Sequence, residues 1–193
     1  MIVGDRIRLR AIEREDLPRF VSWLNDPEVR AGLSLYLPLS LAEEEKWFEG
    51  MLEKTPDERA LIIEIRNADQ WIPIGNGGIF GINHRNRSAE LGIFIGEKTY
   101  WNQGYGSEAV SLLLQHGFAT LNLNRIALRV FETNPRAIRA YEKVGFILEG
   151  RFRQAEFRNG RYIDVLYMSV LREEWLKVNQ EPPPSNKQSQ TTS

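Results

Sequence analysis

The 193-residue chain has no cysteine and only two histidines. Without thiols it can have no cysteine nucleophile, thiolate metal site or disulfide, which is compatible with a reducing compartment. His84 lies in a polar stretch and His116 in a leucine-rich one, so neither begins a metal-binding cluster and no metal is expected. Long apolar runs are missing too: nothing approaches the roughly 20 residues of a membrane span, and the first residues do not read as a secretory signal. No membrane contact is expected, and the cytoplasm is the expected location. Charge of one sign is also lacking. The net charge is -1, so there is no bulk attraction to nucleic acid, which is not expected as a partner.

What is present is ordinary globular material, 42% hydrophobic and 26% charged, enough for one domain with a full core. We expect that domain over residues 1–177. Residues 178–193, where prolines are followed by Ser, Asn, Gln and Thr, read as a disordered tail with nothing to bury.

Alternation at period two marks a first strand at Ile7–Ile12. Asp16 reads as the cap of a helix with an apolar face of Leu17, Phe20, Val21 and Leu24, ended by Asn25-Asp26-Pro27. Ser40 with Glu43 three residues on is a capping box, opening a second helix with Trp47, Phe48, Met51 and Leu52 inward. The run Glu43-Glu44-Glu45 on it reads as a solvated face. Strands follow at Leu61–Ile65, Trp71–Ile82 and Ala89–Ile95, then a helix from Gly104 to Leu121 and a fifth strand at Arg125–Phe131. A short helix runs from Asn134-Pro135 to Gly145. Two further strands are joined by the hairpin signal Asn159-Gly160. Antiparallel runs with helices inserted late mean an α+β fold with a mixed sheet, and the strand–helix–strand unit in the middle should be a parallel crossover.

Two segments carry chemistry. Trp101 to Ser107 joins a strand to a long helix. Its glycines let successive N–H groups converge, and the helix N-terminus adds partial positive charge, a combination that favours phosphate. Gly104-Tyr105-Gly106-Ser107-Glu108-Ala109 also fits the dinucleotide fingerprint. That fingerprint should follow the first strand of a repeating parallel unit, with an acidic residue about 20 positions on; here Glu132 is late. The second segment is Asn134 to Phe146. Asn at the cap and Pro at the first turn fix a helix start, and Ala137, Ile138, Tyr141 and Val144 form an apolar stripe. Alone, Asn134 reads as a cap and Tyr141 as a packing residue.

Together the two segments resemble the GNAT acetyltransferases. That family has a Q/R-x-x-G-x-G/A loop, then N-x-x-A-x-x-x-Y-x-x-x-G-F about 30 residues on, matched here at Gly104 and Gly106 and at Asn134, Ala137, Tyr141, Gly145 and Phe146. Trp101 stands where the family usually has Gln or Arg. The likeness spans about residues 5–176 and is closest to the branch of RimJ and RimL ribosomal-protein N-acetyltransferases and spermidine acetyltransferases, which Glu149-Gly150 and Asn159 to Asp164 resemble.

The resemblance implies a mostly antiparallel seven-stranded sheet flanked by about four helices and splayed between strands four and five. It implies an enzyme with acetyl-CoA as cosubstrate. By position, backbone groups of Phe94 and Ile95 would meet the pantetheine arm and thioester, Gln103, Gly104, Tyr105, Gly106 and Ser107 the pyrophosphate, and Asn134 the pantetheine. Arg139 and Arg136 would reach phosphates or lie on the solvated helix face. Tyr141 would protonate the leaving thiolate. Glu90, at the start of the fourth strand, Asp164 or water would take the amine's proton. The acceptor would be a protein N-terminal α-amine or a small polyamine, and a homodimer is compatible with the branch.

Overall fold

The computed structural model describes residues 1–180. Among these, an eight-stranded sheet runs in the order β1 (Ile2–Val3), β2 (Ile7–Ala11), β3 (Leu61–Asn67), β4 (Gln70–Asn83), β5 (Ser88–Ile95), β6 (Arg125–Phe131), β8 (Arg161–Leu171) and β7 (Ile147–Arg158). The eighth strand is β1, whose two residues are too few to show a period in sequence. Every pairing is antiparallel except β5 with β6. The crossover between those two strands is α4 (Tyr105–Gln115) followed by a π-helical turn at His116–Thr120. That order removes the dinucleotide reading, which needs successive parallel units.

Helices cover both faces. On one, α4, α5 (Pro135–Lys143) and α6 (Arg172–Gln180) pack over a core that includes Ile7, Leu113, Phe118, Ile126 and Met168. On the other, α1 (Leu17–Asn25) and α3 (Leu41–Leu52) bury Phe20, Trp23, Phe48 and Met51. The four-residue α2 (Pro27–Arg30) follows α1 directly, because the Asp26 carboxylate accepts from the N–H groups of Glu28 and Val29 and starts a new turn. Because α6 continues to Gln180, the ordered part passes residue 177; the rest of the expected tail, 181–193, lies outside the described residues.

Several local readings are revised. Asp16 does not cap α1 with its side chain. It is buried, pairs with Arg10 at 2.7 Å and accepts from the Glu13 N–H. The Arg10 guanidinium and that N–H outweigh burial and hold its carboxyl below the usual range. The Ser40–Glu43 capping box forms, but the inward face of α3 is Glu44, Phe48 and Met51, with Trp47 and Leu52 each 39% exposed. Glu44 is therefore not part of a solvated face: burial pushes its carboxyl up to about 7.

The two middle strands touch for only three rungs, Ser88–Arg125, Ala89–Ile126 and Glu90–Ala127. Beyond them each strand follows its own antiparallel partner. β5 stays on β4 as far as Gly75–Ile95, and β6 stays on β8 as far as Phe131–Val165. A Cβ on Gly75 would meet the Phe94 carbonyl oxygen at 2.1 Å, so only glycine lets β4 hold the end of β5 this closely. The sheet forks just after Glu90.

Candidate active site

The fork opens into a cleft of about 1370 Å³. One wall is the loop 101–107 with the first turns of α4 and α5. The other is the segment 27–36 with the tip of the β7–β8 hairpin.

On the first wall, Gly104 takes a left-handed φ of 86° as the N-cap of α4. That kink turns the loop into the helix and presents the amides that follow, with the helix dipole behind them. Glu108, in the first turn of α4, would oppose an anion there, but Arg6 binds it at 2.7 Å and lays its guanidinium 4.6 Å from the Tyr105 ring. Gly104, Tyr105, Gly106 and Ser107 all line the cleft. The Gln103 side chain turns away and donates to the Thr99 carbonyl at 2.7 Å, so at this position only the backbone can serve the loop. Trp101, out of pattern in sequence, has a visible task. Its indole N–H donates to the Ile95 carbonyl at 2.8 Å, and the Arg136 guanidinium lies 3.4 Å from its ring centroid. Arg136 is thus packed into the cleft wall rather than on the solvated face of α5, and burial lowers its pKa. Arg139 and Lys143 line the same wall.

Asn134 caps α5, accepting from the Ala137 N–H at 3.2 Å, and its side chain also faces the cleft. Phe94 and Ile95 lie along the β5 limb of the fork. Phe94 points to the α1 face, packed on Trp23 at 6.3 Å, while Ile95 packs on the α4 face.

Tyr141 is 8% exposed, its ring 5.8 Å from Phe146, and it lines the cleft. Among the described residues its hydroxyl has no protein hydrogen-bond partner. Burial pushes the phenol up to about 12, so it keeps its proton at neutral pH.

The acidic candidates separate. Glu90 stands on the last rung before the fork, half exposed, 3.0 Å from Arg129, which lines the cleft. Asp164 is committed elsewhere. Its carboxylate binds Arg151 at 2.8 Å and the Gln154 N–H at 2.8 Å, which together hold it below the ordinary carboxylate range. Neither Asp164 nor Glu90 lines the cleft itself; Glu90 reaches its edge only through Arg129.

Sequence reasoning did not find the second wall. Arg158 donates to the carbonyls of Arg30 and Leu33, and its guanidinium lies 5.2 Å from the Tyr36 ring and 4.6 Å from that of Phe131. The Tyr36 hydroxyl donates to Glu156, whose carboxylate raises the phenol's pKa. These contacts tie the loop after α2 to a hairpin at least 120 residues away in sequence, so no local pattern announces them.

The arrangement suits an acyl-CoA. A glycine-kinked loop at a helix N-terminus with Arg136, Arg139 and Lys143 beside it fits phosphates, a strand limb with free backbone groups fits the amide-bearing pantetheine, and a protonated phenol stands in the same cleft. The comparisons agree. Residues 6–147 match the model of the acetyltransferase (GNAT) domain. The chain is 32% identical to the spermidine N(1)-acetyltransferase of Vibrio cholerae, covering 90% of this chain and 98% of that protein. It is also 32% identical to the N-acetyltransferase p20 of Bacillus licheniformis, covering 89% and 96%. A crystal structure of the Vibrio cholerae spermidine N-acetyltransferase in complex with CoA and spermine superposes with a TM-score of 0.81 at 31% identity, over 90% of this chain and 99% of that one. The chain therefore belongs to the GNAT acetyltransferases and is an N-acetyltransferase that uses acetyl-CoA as its cosubstrate.

Proposed function

We propose that the chain acetylates a primary aliphatic amine by direct attack on the thioester, with the amine entering along the wall formed by the segment 27–36 and the hairpin tip. The observation that carries this reading is Tyr141, a buried phenol held protonated on the wall of the cleft into which the fork opens. Acetyl-CoA supplies the acyl group when bound. Backbone groups of the loop 103–107 and the side chains of Arg136 and Arg139 hold its phosphates, Asn134 and the β5 limb at Phe94 and Ile95 its pantetheine. Tyr141 gives its proton to the departing sulfur. An alkylammonium has a pKa near 10 and must lose a proton before attack. Glu90 at the fork takes that proton through water, kept in place by Arg129.

The relatives named as spermidine acetyltransferases support an alkylamine and make a polyamine the first acceptor to try. A protein N-terminus, expected from likeness of branch, draws no support from those relatives. The test is release of CoA thiol from acetyl-CoA in the presence of spermidine, a simple alkylamine and an N-terminal peptide. Acceleration by the alkylamines supports the reading. Thiol release at the same slow rate with and without every amine overturns it.

A further inference from the structure

The acceptor wall carries the wrong charge for a polycation. Three guanidiniums, those of Arg30, Arg158 and Arg161, line it with two carboxylates, Glu28 and Glu156. None of the three is neutralised by a carboxylate among the described residues. Arg158 is held by two backbone carbonyls, its Nε buried without a partner, and neither Arg30 nor Arg161 donates from its side chain to a described residue. Glu156, for its part, accepts from the Tyr36 hydroxyl. Glu28 is already taken by Lys98 at 2.8 Å, which leaves Glu156 as the carboxylate open to a ligand cation.

Resting on the acceptor reading above, we propose that this enzyme selects amines with a single cationic centre and a neutral or anionic far end, and that Arg158 and Arg161 set that selection. The chemistry works in two steps. One ammonium can be met by Glu156 and Tyr36. A second ammonium further along the molecule would face uncompensated guanidiniums, whereas a carboxylate there would be attracted to them. The aromatic rings of Tyr36, Phe152 and Phe157, all lining this wall, supply apolar contact for the chain between the two ends. Arg158 also anchors the loop after α2, so its charge is fixed in place by the fold rather than carried on a free side chain.

The experiment compares three acceptors of one chain length: aminohexanoic acid, hexylamine and diaminohexane, with spermidine as a fourth. The expected order in kcat/KM is the acid first, the monoamine next and the two polycations last, each step roughly 5-fold, the size of one screened charge interaction. Arg161→Gln should narrow the gap between monoamine and diamine by a similar factor, and Arg161→Glu should reverse it. Arg161 is exposed and makes no side-chain hydrogen bond to a described residue, so both variants should fold. Arg30→Gln is a second variant with the same expected direction. A wild-type preference for spermidine or diaminohexane over hexylamine overturns the charge proposal and leaves alkylamine acetylation standing. Failure to acetylate any of the four overturns both. An acceptor order unchanged in Arg161→Glu removes that side chain as a determinant.

Discussion

The two walls of the cleft are built by different means. The wall proposed to hold the cofactor rests first on backbone and short-range structure, one glycine at φ 86°, a helix N-terminus and an Asn-Pro helix start, to which Arg136, Arg139 and Lys143 add charge. The wall proposed to meet the acceptor is made of long side chains reaching between distant segments, with Arg158 on the loop after α2 and Tyr36 on Glu156. A backbone site tolerates drift in side chains and so keeps one ligand. A side-chain site can be rewritten by a few substitutions. On that division, substitutions in the first wall should change cosubstrate binding and those in the second the choice of acceptor.

The predictions test that division, and the largest concerns the group standing between the walls. Tyr141→Phe keeps the ring against Phe146 and removes only the proton donor. kcat should fall roughly 10²-fold, the low end for general acid catalysis with a good leaving group. Acetyl-CoA affinity and acceptor preference should hardly move, as steady-state kinetics and calorimetry would show. A variant that kept its kcat but lost thermal stability would make Tyr141 a packing residue.

Gly104→Val attacks the cofactor wall alone. A side chain in that left-handed position costs about 1–3 kcal/mol, so acetyl-CoA affinity should fall about 10- to 100-fold by calorimetry while the ranking of acceptors stays the same. Gly106→Val is the milder companion, since a Cβ there meets Ile95 only at 3.8 Å. If Gly104→Val changed the acceptor ranking, the two walls would not be independent.

Glu90→Gln should lower kcat/KM by roughly 10-fold with acetyl-CoA affinity unchanged, a modest loss for a base because water can partly replace it. Wild-type kinetics in that variant would remove Glu90 from the chemistry. The smallest effect is expected from Glu156→Gln. It should raise the acceptor KM several-fold, the value of one charge-assisted hydrogen bond in a partly wet site, and leave the cofactor terms alone.

Most of the fold was legible because it is local. The capping box at Ser40, the Asn134 cap and the Asn159-Gly160 hairpin each rest on residues within a few positions of one another. The fork followed from family likeness, and its cause, the loyalty of each middle strand to a different antiparallel partner, is visible only in the pairing. Errors arose where a distant partner competed. Asp16 looks like a cap but is captured by Arg10, itself shared with Glu64. Glu44 sits in a run of acids, yet helical geometry rotates it inward with Phe48 and Met51. Arg136 looked solvated because nothing in the spacing shows Trp101 waiting 35 residues earlier. The long helix read to Leu121 is α-helical to Gln115 and closes on a π-helical turn at His116–Thr120, where a Cβ on Gly117 would come within 2.5 Å of Ile126.

The three-rung contact between β5 and β6 has a further consequence. An interrupted ladder leaves two strand edges facing each other inside the molecule, and an edge is a template awaiting a partner. A pantetheine chain, with its two amides spaced along an extended backbone, is chemically a short strand. If it binds in the fork as proposed, the protein folds as a sheet one strand short and acquires that strand from solution. Its cosubstrate would then also be a structural part, and the melting temperature should climb with acetyl-CoA concentration as ligand linkage requires. In a cell, the standing pool of CoA would decide how firmly the two halves of the sheet are joined.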